Sequence, residues 1–576
     1  MQKKINNRGT NTATRRVAFR ADPRTPSAES SGDAGTNLGF RDDDNRPFHL
    51  RKLKDPLYGY VHLSELENRI IQHPLMLRLH HVRQNSTAFL TYPTAHGTRF
   101  AHSVGAMHLV GSIATRAFHA AEPAASDAVQ DVIAQILKTV NINLDALSGR
   151  ILEDPHETKL LNDDGLYSMY SLTPARTPSD LARLILFEGL RLACLVHDLG
   201  HPPFSHVAEH AFQKVVPAYK GHEEAGLELL DAIVTQLGDK CAPLGGPALA
   251  VAKALVRHVE PLAALSALVS GDVDADRLDY VRRDASTVNL SIAAYDSQRI
   301  VDSARLGVRN GKPLIYFTTD ALSAVEAFFI ARFQLYRWMI WHHNVIRMDL
   351  CLERALQLLS IVADDKLPDG ARGIRSGLLA PIKSGLARDY VEFDDGTLIT
   401  ALRTLLHVLE AQPTLNEQCT DLAFYLRVFL LRKRRLLRPL WKQADEYREF
   451  ATLAVVEKDK PVSAFNDQLR ARLGNDPEQI IALEQHLTKA LNRITRVSYL
   501  RFRPCPDEGF ELFPEPSGKS LTVMALSPAV ASLQIAWDEM PQLWIFVKCE
   551  ETDDLLTAPL RKMCGNKMRD FLGRRP

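Results

Sequence analysis

Three short segments of the chain carry histidines and aspartates in a pattern that could bind a metal ion. They are RFAHS (residues 99–103), HDLGHPPFSH (197–206) and DVDADRLDYVRRD (272–284). The adjacent side chains of His197 and Asp198, at the end of an apolar helix, cost several kcal/mol to desolvate unless they are paired or bound to a metal. An isolated His-Asp dipeptide is common by chance, so this pair needs further ligands to indicate a site.

Two more residues complete a candidate set of ligands. His102 lies in a segment with apolar residues at helical spacing, and Asp276 lies in a segment dense in carboxylates. Mixed imidazole and carboxylate donors suit Fe, Mn, Zn, Ni or Mg better than a structural zinc site, which prefers cysteine. Such a set leaves coordination positions for water and a phosphate oxygen. We therefore expect His102, His197, Asp198 and Asp276 to bind a divalent metal ion that supports hydrolysis.

The helices that must position these residues are visible in the hydrophobic pattern. Residues 99–118 place apolar side chains at steps of three and four, which predicts an amphipathic helix. Residues 180–196 are apolar on most faces, which is typical of a helix at the centre of a bundle. Gly200 and the two prolines that follow predict its end. Residues 320–361 predict another long helical tract.

The rest of the chain predicts a mainly α protein with a smaller C-terminal α+β lobe. We expect a disordered tail at residues 1–45, a catalytic core at 46–360, a helical region at 361–495 and the lobe at 496–576. Within the core, 120–180 is expected to be an insertion with one helix (127–139) and then a polar, turn-rich segment. The lobe is predicted from short β-prone runs, which are VSYLRF, GFELF, LTVMAL, SLQIAW and LWIFVKC.

Composition narrows the classes of function. The 576 residues include 70 Lys+Arg and 69 Asp+Glu, and the net charge of +1 gives no bulk reason to expect a nucleic acid or an anionic membrane as partner. Seven scattered cysteines without a C-x2-C pair are typical of a reduced, intracellular protein. No secretory signal or span of ~20 apolar residues is evident. We expect a cytoplasmic protein.

Together the three segments resemble the HD-domain phosphohydrolases, and within them the deoxynucleoside triphosphate triphosphohydrolases. The signature H…HD…D is matched by the four candidate ligands, and the flanking patterns HDLGHxPFSH and DxDRxDYxxRD are matched as well. The resemblance covers roughly residues 56–350. It implies an HD-domain helical bundle that hydrolyses a dNTP to a deoxynucleoside and inorganic triphosphate. It also implies a homo-oligomer, Mg carried by the nucleotide and, as one option, a regulatory nucleotide.

The resemblance also implies which residues contact the substrate. Three side chains are expected to line the sugar, and these are Gln84, Tyr280 and Asp284. Arg99 and Arg277 are expected to contact the phosphates, because a guanidinium can donate to two phosphate oxygens at once.

A cluster of histidines, His201, His206 and His222, is expected beside the α-phosphate. His206 is the candidate acid that protonates the leaving 5′-oxygen, and Glu209 is expected to orient its ring and raise its pKa. Positions 206 and 209 are i and i+3, so they are neighbours if this stretch is helical.

Two departures from the family pattern leave another substrate open. Trp341 stands where the family has a tyrosine that gates the sugar, and Asn85 replaces an apolar residue beside Gln84. The alternative is an HD phosphohydrolase that acts on a ribonucleotide, an alarmone or a cyclic dinucleotide. The 120–180 insertion could serve as a lid, an oligomer contact or a regulatory element.

A second alternative is a nucleic-acid-binding protein. The stretch LRKRRLLRP (431–439) has five basic residues in nine, and the flanking aromatics Phe424, Tyr425, Phe429 and Trp441 could stack on bases. The simpler interpretation is a helix with one basic, solvated face and one apolar face.

Overall fold

Helices dominate the fold, as the hydrophobic periodicity predicts. The computed structural model describes residues 52–154, 170–172, 174–238, 244–291, 295–456, 459–474, 476–500, 502–506, 509–514, 519–550 and 557–573. All of these belong to one structural unit, Pro47–Pro576. The tail predicted for residues 1–45 lies outside the described residues.

The α-helices that precede residue 303 are numbered in chain order. They are α1 Glu65–Ile71, α2 Pro74–Leu77, α3 Arg99–His119, α4 Ala125–Thr139, α5 Leu144–Glu153, α6 Pro178–Val196, α7 His206–Val215, α8 His222–Leu237, α9 Gly245–Val256, α10 Ala263–Ser266, α11 Ala275–Thr287 and α12 Ser297–Asp302.

The remaining helices follow a β-hairpin. They are α13 Leu322–Leu335, a π-helical turn Tyr336–Ile340, α14 His343–Ile361, α15 Asp369–Ser384, α16 Ala387–Tyr390, α17 Asp395–Glu410, α18 Glu417–Leu430, α19 Ala444–Ala454, α20 Pro461–Leu473, α21 Pro477–Leu491, α22 Val523–Leu526, α23 Pro528–Asp538 and α24 Thr557–Leu572. Short 3-10 turns lie at Arg78–His81, Ala88–Leu90, Thr319–Ala321, Asp364–Lys366 and Arg434–Leu436.

Helix α6 is the centre of the core, as its apolar faces predict. Its start is fixed by a capping box in which Thr177 and Asp180 satisfy each other's backbone N–H groups, with proline at the first helical position. From Leu184 to Val196 every residue is buried, and α3, α4 and α9 pack around it. The helix ends at the C-cap His197, so the candidate ligands His197 and Asp198 directly follow a buried helix.

Four small antiparallel sheets accompany the helices in the part of the chain that the structure describes. The strands are β1 Lys52–Asp55, β2 Gly59–His62, β3 Ala304–Arg309, β4 Lys312–Phe317, β5 Leu437–Pro439, β6 Thr495–Tyr499, β7 Glu511–Leu512, β8 Leu521–Thr522 and β9 Leu543–Lys548. The pairs are β1–β2, β3–β4 and β7–β8, and the one three-stranded sheet of the described residues has the order β5-β9-β6. In β3–β4 the turn is Asn310–Gly311, both with positive φ, the pattern of a tight hairpin.

Several local predictions are wrong. The insertion has a second helix, α5, where a polar, turn-rich segment was expected. The run SLQIAW forms part of helix α23 because Pro528 starts a helix that Ser527 caps. The long tract 320–361 is broken by the π-helical turn, and α14 starts afresh at His343. In the lobe, strands do form at β6 and β9, as VSYLRF and LWIFVKC predict.

The basic stretch 431–439 is not the helix that was expected. It forms a 3-10 turn and then strand β5. Its aromatic neighbours, proposed above as a stacking platform for bases, are all buried in the core, and these are Phe424, Tyr425, Phe429 and Trp441. They cannot stack on a nucleic acid without unfolding this region. No helix among the described residues has the length and apolar character needed to cross a lipid bilayer.

We predict that Gly200→Ala destabilises the protein. Gly200 follows the His197–Asp198 pair and packs on the first turn of α8, where an added Cβ would lie 2.1 Å from the carbonyl oxygen of His222 and 2.4 Å from the backbone nitrogen of Gly226. Both are backbone atoms and cannot rotate away. Thermal and urea unfolding should show a loss of about 2–3 kcal/mol, the upper range for overpacking.

The control is Gly149→Ala in helix α5, where nothing lies within 4 Å of the added Cβ. Alanine is the better helix former, so this variant should be unchanged or more stable by roughly 0.5–1 kcal/mol. Equal unfolding midpoints for the two variants would contradict the close packing at Gly200.

Candidate metal centre and active-site cavity

The four candidate ligands come from three helices and meet at one point. His102 is on α3, His197 and Asp198 follow α6, and Asp276 is on α11. His102 Nε2 lies 3.2 Å from His197 Nε2, 2.9 Å from Asp276 Oδ1 and 3.6 Å from Asp198 Oδ2. Two atoms that each lie about 2.1 Å from one ion, at tetrahedral or octahedral angles, are separated by about 3.0–3.4 Å. His102, His197 and Asp276 therefore could hold a single metal ion, and Asp198 lies slightly farther from His102 than this range.

The protonation of the two rings supports this arrangement. His102 Nδ1 donates to Asp279 Oδ2 at 2.8 Å, and His197 Nδ1 donates to the Cys194 carbonyl at 2.7 Å. Each ring therefore turns the lone pair of Nε2 toward the other ligands. Two imidazole lone pairs and two carboxylates converge in a buried space, which is unfavourable unless a cation lies between them. This donor set fits a divalent metal ion.

The pKa of His102 also indicates that this site favours a positive charge. Burial opposes a charge on the ring, but hydrogen bonds to Asp276 and Asp279 raise the pKa of His102 to about 10. Burial likewise opposes the ionised form of Asp276, yet the two histidines hold the pKa of that carboxyl far below its ordinary value. The site thus keeps its carboxylates ionised and strongly favours a positive charge at their meeting point.

Arg99 is held by a metal-ligand candidate. Its Nη1 lies 2.8 Å from both oxygens of Asp198, and its Nε donates to Ser205 Oγ at 3.0 Å. Burial raises the pKa of Asp198, but the charges of Arg99 and His197 bring it well below the ordinary value. The guanidinium also borders the cavity described next. The phosphate contact predicted for Arg99 stays a prediction, and the structure adds an orienting role toward Asp198.

A cavity of about 710 Å³ lies beside the four ligands and is lined by many of the predicted site residues. Gln84 and Asp284 both face it, and one oxygen of each, Gln84 Oε1 and Asp284 Oδ1, is buried without a hydrogen-bond partner among the described residues. Burial raises the pKa of Asp284 to about 6, although Asn85 opposes the rise. Buried acceptors that lack donors are costly unless a ligand supplies the donor.

The predicted histidine cluster lines the same cavity, and Glu209 organises it. One carboxylate oxygen lies 2.9 Å from His206 Nδ1 and the other 2.8 Å from His222 Nδ1. Both rings therefore direct Nε2 away from Glu209. The ring of His201 stacks on that of His222 with centroids 3.7 Å apart and meets His206 edge-on at 4.6 Å. Because His201 and His222 are nearly parallel, the lone pairs of this cluster do not converge on one point.

The predicted effect of Glu209 on His206 is opposed by the surroundings of the ring. Glu209 favours the protonated ring, as predicted, but the neighbouring protein atoms lower the pKa of His206 overall. Glu209 itself is ionised: burial opposes this, and the hydrogen bonds from the two histidines hold its pKa well below the ordinary value. The ring of His206 is 55% exposed, which leaves it open to a ligand in the cavity.

Only some of the residues predicted to contact the sugar and the phosphates line the cavity. Tyr280 lines the cavity, and its hydroxyl lies 3.3 Å from that of Tyr336. Trp341 also lines the cavity but packs against Tyr336 and Trp537. Tyr336, rather than position 341, therefore provides the hydroxyl next to Tyr280. Arg277 pairs with Asp274 at 3.2 Å and is not among the described residues that line the cavity.

Residues 180–284 match the family model of the HD domain. The chain therefore contains an HD domain. The matched range holds three of the four ligands, and His102 is supplied from α3 upstream of it.

Three curated relatives share this HD domain at low identity. An uncharacterized protein of Methanocaldococcus jannaschii is 25% identical over 308 residues, which are 53% of this chain and 49% of that protein. The uncharacterized protein YwfO of Bacillus subtilis is 29% identical over 313 residues, 53% of this chain and 56% of YwfO. The deoxynucleoside triphosphate triphosphohydrolase SAMHD1 of Xenopus laevis is 23% identical over 196 residues, 34% of this chain and 22% of SAMHD1. The chain thus spans only about half, or less, of these relatives.

A solved structure shares the fold over most of the chain. The crystal structure of a phosphohydrolase from Bacteroides thetaiotaomicron superimposes with a TM-score of 0.52 at 18% identity, covering 87% of this chain and 99% of that one. The agreement therefore extends beyond residues 180–284.

Some residues of the HD site were missed by the sequence reasoning. Asp279 lies in the segment DVDADRLDYVRRD, three positions after the candidate ligand Asp276. No rule of residue spacing distinguishes these two aspartates. His210, one helical turn after His206, lines the cavity and is visible only as part of an i, i+4 pair. The wall formed by Tyr499 and Phe502 comes from the C-terminal lobe, and nothing in the local sequence relates it to the HD motif.

We predict that Asp276→Ala abolishes binding of a divalent ion to the purified protein. It removes an oxygen that lies within 4 Å of both ligand rings and leaves their lone pairs without a counter-charge. Metal content by mass spectrometry after incubation with Mn2+ should fall from near one equivalent to background. In the parent protein, binding should also raise the unfolding temperature, since a ligand of the folded state stabilises it.

The matched control is His206→Ala, which alters the same cavity without touching the ligand set and should keep its metal. Full metal occupancy in Asp276→Ala would refute the assignment of the four ligands.

Proposed function

We propose that the protein is a metal-dependent phosphohydrolase that converts deoxynucleoside triphosphates to deoxynucleosides and inorganic triphosphate. The observation that carries the proposal is the pairing of a cluster that could hold a metal ion, His102, His197 and Asp276, with a cavity that holds unpartnered acceptors at Gln84 and Asp284. A sugar hydroxyl is a donor that would satisfy one of them. The partial match to SAMHD1, named as a deoxynucleoside triphosphate triphosphohydrolase, supports the same reaction.

The binding step follows from charge and hydrogen bonding. The 3′-hydroxyl would donate its one proton to Asp284 Oδ1, which fixes the sugar, with Gln84 beside it, and Tyr280 would lie along its face. A hydroxyl that pairs with a buried acceptor contributes more to selectivity than an apolar contact, because the analogue that lacks it leaves the acceptor unsatisfied. The phosphates would extend past Arg99 toward the histidine cluster, with Arg277 moving from Asp274 to reach them.

The chemical step needs an acid for the leaving oxygen. A bound divalent ion would supply Lewis-acid stabilisation of the phosphate and lower the pKa of water at the site. His206 would protonate the 5′-oxygen of the departing nucleoside through Nε2, because Nδ1 is held by Glu209. The triphosphate charge would raise the lowered pKa of His206 when substrate binds. His201 and His222 would donate hydrogen bonds to the α-phosphate.

A second candidate substrate is a ribonucleoside triphosphate. Asn85 lines the cavity beside Asp284 and adds an amide that could bind a further hydroxyl. Trp341 is packed into the lobe, so any exclusion of a 2′-hydroxyl would fall to Tyr336 and Tyr280.

The decisive experiment is product analysis. The protein is incubated with the four dNTPs and, separately, the four NTPs, with Mg2+ or Mn2+ and with or without GTP as activator. We expect deoxynucleoside and triphosphate in equal amounts from the dNTPs. Release of pyrophosphate with a nucleoside monophosphate would refute attack that frees the whole triphosphate. Faster turnover of NTPs would select the second candidate.

We predict that His206→Ala lowers kcat by about 100-fold or more, the usual size of a general-acid contribution, while KM for a dNTP stays within a few fold. The reason is that the ring acts on the leaving oxygen and not on the ground state. Steady-state kinetics on metal-loaded protein give both constants. Replacement of the exposed His407 by alanine is the surface control. A His206→Ala variant with parental kcat would remove His206 from the mechanism.

A further inference from the structure

The hairpin β1–β2 contacts the metal centre through one buried carboxylate, Asp279. Tyr58, in the turn of the hairpin, donates its hydroxyl to Asp279 Oδ1 at 2.9 Å. The other oxygen, Oδ2, accepts from Nδ1 of His102 at 2.8 Å. Asp279 is fully buried, so its two oxygens link a residue near the start of the described chain to a ligand of the metal.

Arg283 completes the environment of this carboxylate. Its Nε lies 2.8 Å from Asp279 Oδ2 and its Nη2 lies 2.9 Å from Oδ1. The guanidinium also pairs with Asp55 of the hairpin at 2.9 Å. Asp55 in turn accepts from the backbone N–H groups of Leu57 and Tyr58, which shapes the turn that presents the Tyr58 hydroxyl. Four donors thus hold Asp279 in one orientation.

The network fits between α3 and α11 because residue 105 is a glycine. Gly105 lies on α3 one turn after His102, and an added Cβ there would lie 2.0 Å from Asp279 Oδ1 and 2.4 Å from Arg283 Nη2. The close approach of α3 and α11 at this point therefore depends on glycine.

The network decides which nitrogen of His102 carries the proton. An ionised Asp279 can only accept, so Nδ1 must donate, and Nε2 is the nitrogen left to face the metal. If the carboxylate is loosened, the ring can rotate or change tautomer, and the ligand is lost for part of the time. Anything that fixes Asp279 therefore favours metal binding.

We propose that Tyr58 is a positioning residue for the metal ligand His102, acting through Asp279, so that docking of the β1–β2 hairpin sets the affinity of the metal centre. The inference rests on the metal centre of the proposed function and is independent of its substrate. Tyr58 contacts neither the ligand cluster nor a reacting atom, and its effect reaches the ion only through the orientation of His102.

The test measures affinity for Mn2+ alone, by calorimetry on the full chain without nucleotide. Tyr58→Phe deletes a single hydroxyl and keeps the ring. It should weaken Mn2+ binding about 3-fold to 10-fold, while Asp279→Asn should weaken it about 10-fold to 100-fold, the range for residues that orient a metal ligand. In the second variant the amide NH2 must face two of the four donors, which favours the wrong tautomer of His102.

The matched control is Tyr60→Phe on the same hairpin, whose side chain is 56% exposed and which should bind Mn2+ like the parent. The unfolding temperature of the metal-free proteins separates the two roles, because a merely structural Tyr58 would lower it and leave the Mn2+ affinity unchanged. Parental affinity in Tyr58→Phe would overturn the inference even if Asp279→Asn fails to fold. A parent protein that binds no Mn2+ would instead overturn the metal centre and the proposed function with it.

Discussion

The structure depends on one electrostatic constraint, the convergence of two carboxylates and two imidazole rings beside the cavity. His102 and Asp198 are almost fully buried, and such a group of acceptors is unstable without a compensating charge. A divalent ion meets this need at the centre, and Arg99 neutralises Asp198 from the other side. Metal binding and local stability are therefore coupled, since the ion that the chemistry needs would also remove the repulsion among its ligands.

The helices orient the two histidine ligands by providing a hydrogen-bond acceptor for the second nitrogen of each ring. His197 gives its second ring proton to the Cys194 carbonyl at the end of α6, and His102 gives its own to Asp279 on α11. These bonds are made within packed helices rather than loops, so the rings cannot reorient freely. Gly200 and Gly226 allow the chain after α6 to approach α8 closely, which brings the histidine cluster beside the metal ligands. Ligand geometry and core packing are consequently inseparable here.

The sequence predicts most of this centre because its signals are local. The apolar periods of α3 and α6 are readable in single windows, as are the glycine and prolines that follow the His197–Asp198 pair, and the HD motif fixes the ligands. The failures have two causes, one local and one distant in sequence. The run SLQIAW has β-prone residues, yet the nearby Ser527 and Pro528 start a helix that outweighs them. Strand β5 forms because β9 pairs with it from more than one hundred residues away, and no local pattern at 431–439 records that partner.

Local sequence patterns predict the wall of the cavity least well. The π-helical turn Tyr336–Ile340 carries an extra residue relative to an α-helical turn. It leaves Tyr336 next to Tyr280 and lets Trp341 pack on Trp537 of the C-terminal lobe. The resemblance to the family assigns the gate to position 341, whereas the hydroxyl that borders Tyr280 belongs to position 336. Because Phe502 of the same lobe packs on Tyr336, the wall of the cavity at Tyr280 depends on a region outside the HD domain, and changes in the lobe can alter this wall without touching a candidate ligand.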